Sequence, residues 1–469
     1  MATTWQFVDS IASSPTVRLD LNNGSPFWVG DGWDLSPAAV RRSLASSMLT
    51  DGDAVTAWSY TNRVLSIPLQ LNAAGVDAAA LALHTLGVEL SRDSNILRVQ
   101  LGSMPYFFRT FAAPDYTFTA LKMMAEVGKA TLKIPAEPFA YGLKETLTTA
   151  VVNNDPAAGS NGMFFEVTGI KGDVETPLFL SIPSAGMLPG GSSTTGRTSC
   201  IAVRRRGTPS AAPFVVQAET ASPLGTDTTL PGNDAVMSGA GSNYARCSFA
   251  TVATLLERLS FTAIPVAASV DARGTYRVFI RVRKSVAGDT MAVQLRHDGN
   301  GLTVLNSLVT LPSTTNLVYI DLGLVTLPLG GGPITDGYSS VPLPVKGLNV
   351  YVRAQRTSGS GNVDFDVLLF VPADDRLALV TWGLNSGPDT FVLDSATPAA
   401  YALGGSDVRN EPPMSIVGDA PMISPGVTNR IVFIRNVNTN DTASDDKTGT
   451  HSITPYYWPR YLYIRPVAG

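Results

Sequence analysis

The sequence predicts a mainly β protein: a β-sheet domain with one packed α-helix, interrupted by an inserted β-sandwich. Three observations carry this reading. The composition is that of strands and turns, with 15% charged residues, 42 glycines and 32 prolines in 469 residues. Short runs of alternating apolar and polar residues recur, bounded by Gly, Pro, Asn and Asp. One stretch, Asp77 to Ser91 (DAAALALHTLGVELS), breaks that texture. In it Ala79, Leu83, Leu86 and Leu90 share one helical face. Asp77 is its expected N-cap, with Ser91 and Arg92 closing it. A lone helix between strands points to a sheet with a helix packed on it. His84, beside the apolar face, is expected to be a packed or surface side chain rather than a ligand.

Taken in order, Thr16 to Asn22 alternates and runs into the turn signal Asn22 to Ser25. Phe27 to Val29 and Val55 to Tyr60 are short apolar runs. In Asn62 to Leu71, the residues Arg63, Leu65, Ile67 and Leu69 alternate against Val64, Ser66, Pro68 and Gln70. After the helix come Ile96 to Leu101, Tyr106 to Phe111, an ambiguous segment from Thr117 to Ala125, and Lys129 to Pro135. Phe164 to Ile170, Pro177 to Ile182 and Ser199 to Val203 follow, and 207–212 has linker composition. The next region is regular: Gly274 to Val282 alternates, and Thr290 to Leu295, Leu302 to Leu311, Leu317 to Leu322, Leu348 to Ala354 and Val363 to Val371 succeed it. Strands and turns without a helix predict a β-sandwich. The last segment holds Phe391 to Leu393, Pro421 to Ile423, Ile431 to Asn436 and Tyr461 to Ile464, around a polar loop from Asn438 to Thr450. The expected division is 1–207 for the first part of the sheet domain, 208–383 for the inserted sandwich, and 384–469 for strands returning to the first domain.

Charge and cysteine usage narrow the function classes. With 34 Lys and Arg against 38 Asp and Glu the net charge is −4, and no basic block exists beyond Arg204 to Arg206. That leaves a weak electrostatic case for nucleic acid, and no specific nucleic-acid binding is expected. The two cysteines, Cys200 and Cys247, lack metal-ligand spacing and are expected to be free thiols. No signal peptide is read at the N-terminus, and no run reaches the ~18 apolar residues of a membrane span. Catalytic motifs are missing as well. The three histidines form no HExxH, no GxSxG occurs, and the glycine-rich stretches lack the Lys-Ser/Thr of a phosphate-binding loop. The expected protein is therefore not an enzyme. Sugar contact, if present, is expected at aromatic side chains near Gly/Ser turns: Tyr244, Tyr338 and Trp382.

Two sets of short motifs resemble known families. Tyr60-Thr61-Asn62-Arg63, the helix, Lys129 to Leu132, Glu137 to Gly142, Ser424 to Arg430 and Pro459-Arg460-Tyr461-Leu462 resemble distal tail (Dit-like) and minor tail proteins of long-tailed bacteriophages infecting actinobacteria. The resemblance spans 1–205 and 385–469. It implies a tail-tube-like sheet, a homo-hexameric ring at the distal end of the tail, and tail tube, tail hub and other baseplate proteins as partners in a virion. Val216 to Glu219, Ser238 to Gly241, Gly274 to Val278 and Asn362 to Asp366 resemble a carbohydrate-binding, jelly-roll-like β-sandwich. That second resemblance implies a structural calcium held by Glu219 and Asp366, and host cell-wall glycan as a further candidate partner.

Overall fold

The computed structural model describes residues 3–46, 53–113, 116–120, 127–156, 163–183, 197–205, 214–238, 242–250, 252, 254–264, 274–297, 303–327, 348–373, 376–382, 390–404, 409–410, 415–437 and 450–464. The fold is mainly β, with one α-helix among the described residues. The chain divides into two compact units. The first comprises Met1–Glu145, Lys171–Thr176 and Tyr457–Gly469; the second comprises Thr146–Ile170 and Pro177–Tyr456.

The first unit is built on an antiparallel sheet. Its elements are β1 (Thr4–Val8), β2 (Val17–Asp20), β3 (Phe27–Val29), β4 (Val40–Ser46), β5 (Asp53–Tyr60), β6 (Arg63–Asn72), α1 (Val76–Leu90), β7 (Ser94–Leu101), β8 (Met104–Phe111), β9 (Thr117–Ala120) and β10 (Val127–Tyr141). The strand order is β2-β1-β7-β8-β10-β6-β3, with β9 and the short strand Arg460–Tyr461 also pairing with β10. Strands β6 and β10 run in register from Val127↔Asn72 to Ala136↔Arg63. The alternation read in β6 is the observed one, with Arg63, Leu65, Ile67, Leu69 and Leu71 turned inward. The helix lays Ala79, Ala82, Leu86 and Leu90 into the same core as Leu65, Ile67, Leu97, Val99, Leu132 and Ile134. Strands β4 and β5 stand apart as a two-stranded ribbon.

The helix differs from expectation at its start. Gly75, not Asp77, is the N-cap, with Ala79 N–H donating to Gly75 O at 3.0 Å and no side-chain cap. Asp77 lies within the first turn, where its charge faces the positive end of the helix dipole. Ser91 closes the C-terminus, its hydroxyl donating to Val88 O at 2.9 Å. Near that end Glu89 is buried and shared between Arg18 (Nε to Oε2, 3.1 Å) and Arg92 (Nη2 to Oε1, 3.0 Å), with Asn95 donating to its Oε2 at 3.2 Å. His84 is exposed.

In the second unit two sheets pack face to face. One contains Leu256–Ile264, Leu348–Arg356 and Met291–His297 at its centre; the other contains Val363–Pro372, Gly274–Lys284 and Val318–Leu327. Leu259, Phe261, Val293, Leu295, Val350 and Val352 meet Tyr276, Val278, Ile280, Ile320, Leu368 and Phe370 between them. This second sheet does not end at the sandwich. A parallel contact at Tyr319↔Val437 joins it to Asn429–Val437, which pairs with Arg197–Arg205, then Arg376–Trp382 and Ser415–Gly418. A further sheet pairs Phe179–Pro183 with Thr390–Asp394 and His451–Tyr457.

The division therefore departs from the boundaries 1–207, 208–383 and 384–469. Of the last segment, Tyr457–Gly469 lies with α1 in the first unit, and Arg460–Tyr461 pairs there with β10. Ile431 to Asn436 does not return; it lies in the second unit, as does Ser199 to Val203. The physical reason is a second apolar face on the sandwich sheet. Phe279, Tyr319, Val367, Leu369 and Val371 need cover, and Cys200, Ala202, Val432 and Ile434 pack against them. The linker expected at 207–212 and most of the loop expected from Asn438 lie outside the described residues.

Two outcomes follow from this packing. Leu86 is fully buried and Leu81 is 66% exposed, so Leu86→Ala is expected to destabilise the first unit by about 2–5 kcal/mol in denaturant melts, with Leu81→Ala near neutral. His451 is buried beside Phe433, ring centroids 5.1 Å apart, and neither ring nitrogen has a hydrogen-bond partner. Burial, aided by nearby Arg435, lowers its pKa from 6.5 to about 3. The unfolded chain therefore takes up this proton before the folded one does, and stability is lost as pH falls below the ordinary histidine value. The loss should reach about 3 kcal/mol near pH 4. His451→Phe should flatten that part of the pH–melting curve, and an unchanged curve would refute the assignment.

Candidate functional site

The strand Val363–Pro372 is buried at every position and carries two carboxylates. A register shift between Arg281 and Val282 marks a bulge, with Arg281 opposite Val367 and Val282 opposite Phe365. Asp366 is the extra residue, and the bulge re-aims it. Its Oδ2 accepts from Arg281 Nη1 at 2.8 Å, and both side chains are fully buried. Its Oδ1 accepts from Ser238 N at 2.7 Å, and the Ser238 hydroxyl lies 3.0 Å from both carboxylate oxygens. Burial pushes the Asp366 carboxyl above its ordinary value, while Arg281 and Ser238 pull it down.

Glu219 lies in a short turn after the strand Phe214–Gln217, within reach of the Asp366 charge. Burial raises its carboxyl, its own backbone amide opposes that, and the charge of Asp366 adds to the rise. Its Oε2 has no hydrogen-bond partner. Glu219 is thus close enough for the Asp366 charge to act on its carboxyl. A calcium ion does not fit the donors present. The cation beside Asp366 is the Arg281 guanidinium, and no group of three His, Cys, Asp or Glu side chains gathers there among the described residues. Calcium ordinarily takes six or more oxygen ligands, roughly, and a neighbouring guanidinium repels it.

Two residues earlier the same chemistry repeats. Asp364 lies opposite Arg246 on one neighbouring strand and Arg283 on the other. Arg246 Nε reaches its Oδ1 at 2.7 Å, and Arg283 Nη2 reaches its Oδ2 at 2.9 Å and Asp234 Oδ2 at 2.6 Å. Arg277 pairs with Asp321 in the same way. Arg277 and Arg281 alternate in the run GTYRVFIRV, but their partners lie far along the chain.

Two of the three aromatic candidates for sugar contact, Trp382 and Tyr244, are buried. Trp382 is 2% exposed, donates its indole N–H to Ser199 Oγ at 3.1 Å and packs on Phe391. Tyr244 is 6% exposed, clustered with Met237 and Leu317 and covered by Arg246 at 5.3 Å. Gly/Ser context marked a turn, and the rings beside it turned inward to bury area. Tyr338 lies outside the described residues. Cys200 and Cys247 are free, buried thiols, and burial raises the pKa of both. Neither suits a nucleophile, which needs an accessible thiolate.

Removing the Arg281 cation alone should leave a buried, unpaired carboxylate. Arg281→Met is expected to cost about 3–5 kcal/mol, and Asp366→Leu added to it should recover most of that loss. The wild-type melting temperature is expected to be the same in EGTA and in millimolar calcium, and a rise with calcium would restore the metal reading.

No family model matches the chain, and no curated protein matches it. Among solved structures it is similar to the Dit protein of phage SPP1, a hub adsorption apparatus protein of phages infecting Gram-positive hosts. That match has 11% identity and TM-score 0.37, covering 98% of this chain and 99% of that one. It is also similar to the phage P2 baseplate in its activated conformation, with 11% identity and TM-score 0.27 over 80% of this chain and 100% of that one. A Podospora anserina GH26-CBM35 mannanase matches with 18% identity and TM-score 0.23 over 34% of this chain and 27% of that one.

Proposed function

We propose that the protein is a structural virion component of a phage tail tip. In this reading it forms a homo-hexameric ring at the distal end of the tail tube and serves as the attachment hub for tail tube, tail hub and baseplate proteins. It is assembled in the host cytoplasm and carried in the virion.

The observation that carries this reading is the β4–β5 ribbon. Its strands pair with each other from Val40↔Tyr60 to Ser46↔Asp53 and, among the described residues, with no other strand. A two-stranded ribbon alone is marginal in water. A strand added at the edge of such a ribbon pairs with backbone N–H and C=O groups there. A neighbouring copy offers such a strand, and repeated head-to-tail pairing closes a ring when the rotation permits. The tail-protein motifs identified in the sequence begin at the ribbon's last residue, Tyr60, and continue into the strand that follows. A weakly charged chain, 15% Asp, Glu, Lys and Arg, suits burial of large β interfaces.

Light scattering and negative-stain imaging of the purified chain test this. The wild type is expected as a closed ring, and a variant with 44–57 replaced by a short Gly/Ser turn as a folded monomer. A wild type that stays monomeric at every concentration, and is missing from purified particles, would sink the proposal.

A further inference from the structure

Among the described residues, the aromatic rings most open to solvent are not on the sandwich. Trp33 is 39% exposed and Tyr463 is 54% exposed, and both line one pocket of about 530 Å³ in the first unit. Asp34, Ser36, Pro37 and Leu101 are among its other lining residues. Its size falls in the range of small-molecule sites.

Both rings stand on anchored backbone. Asp34 N donates to Ser66 O at 2.8 Å and Ser66 N to Asp34 O at 3.0 Å, which ties the loop to β6. Leu35 is sunk in the core, and Trp33 leans on buried Trp5 with ring centroids 5.8 Å apart. On the other wall Asp173 Oδ2 accepts from Leu462 N at 3.1 Å and Tyr463 N at 3.3 Å, and Ile464 packs on the core. Gly102, with φ +89°, makes the β7–β8 turn at the rim, a conformation that favours glycine. The walls are thus set before a ligand arrives, which reduces the ordering cost of binding.

The charged group of the pocket is Asp34. Its Oδ1 accepts from Ser36 N at 2.8 Å and from the Ser36 hydroxyl at 2.5 Å. Those bonds hold its carboxyl below the ordinary carboxylate range, so it is anionic at neutral pH. Its Oδ2 accepts no hydrogen bond among the described residues.

We propose that this pocket binds a neutral saccharide, its C–H face against Trp33 or Tyr463 and its hydroxyls donating to Asp34. An anionic ligand meets the Asp34 charge. A wholly apolar ligand strips water from that carboxylate without returning a hydrogen bond. A pyranose supplies both an apolar face and a rim of donors. The inference goes beyond ring assembly and does not rest on it.

The test titrates the full chain, followed by tryptophan fluorescence, with methyl glycosides of glucose, galactose, rhamnose and N-acetylglucosamine and with their disaccharides. Choline is titrated as the cationic competitor for an aromatic pocket. At least one saccharide is expected to bind saturably. Tyr463→Ala and Trp33→Ala are each expected to weaken it by roughly tenfold or more. Asp34→Asn is expected to weaken it with the melting temperature unchanged, and Trp28→Ala, exposed on β3, to leave it intact. If Trp33→Ala unfolds for loss of the Trp5 contact, Tyr463→Ala decides. The proposal is overturned if no saccharide binds, if binding survives Tyr463→Ala undiminished, or if choline binds and the sugars do not. Ring assembly is scored separately by light scattering, so a ring that binds no sugar refutes this inference alone.

Discussion

A strand buried on both faces cannot carry a carboxylate unless a cation is buried with it. Val363–Pro372 carries two, and the second unit is arranged around neutralising them. Arg281 meets Asp366 through a bulge, and Arg246 and Arg283 meet Asp364 from the strands on either side. Those contacts fix the register of three neighbouring strands, because a slip by one residue would leave charges unmatched in the interior. With the register fixed, Leu368 and Phe370 face one core and Val367, Leu369 and Val371 the other. The apolar layers supply most of the free energy of burial, and the ion pairs select which of the possible pairings is built.

The first unit solves a smaller version of the same problem. Glu89 sits at the buried end of α1, held by Arg18 from β2, by Arg92 and by Asn95 from the head of β7. The helix is thereby tied at one end to β2 by an ion pair and to β7 by a hydrogen bond, while Ala79, Ala82, Leu86 and Leu90 hold its length by apolar packing. Small alanines on that face let the helix approach the sheet closely.

Local pattern in the sequence was enough for α1 within a residue at each end, and for the inward residues of β6, because amphipathic periodicity reports directly on one buried face. It failed where burial is two-sided. The run VDFDVLLFVP is nearly continuous in apolar residues, a sign of cover on both faces, yet alternation alone reads it as a one-sided sandwich strand. The same blindness misplaced Ile431 to Asn436 and Ser199 to Val203, whose role is to supply that second cover. Asp77 looked like a cap because Asp is a good one, but Gly75 precedes it and the backbone turned there instead. Arg281, 85 residues from Asp366, carried no local sign of the pairing. Trp382 and Tyr244 were chosen by their neighbours in sequence, and exposure is a property of the tertiary fold.

The Tyr319↔Val437 contact gives the inserted region an unusual dependence. A module whose sheet ends at its own boundary can be cut from its host and moved. Here the excised stretch from Phe214 to Pro372 would carry Phe279, Val367, Leu369 and Val371 uncovered on its outer face. Such a fragment is a poor candidate for transplantation between scaffolds, since a flat apolar sheet face stripped of cover is an aggregation site. Exchange of this region between related chains should then proceed with its flanking strands as one block.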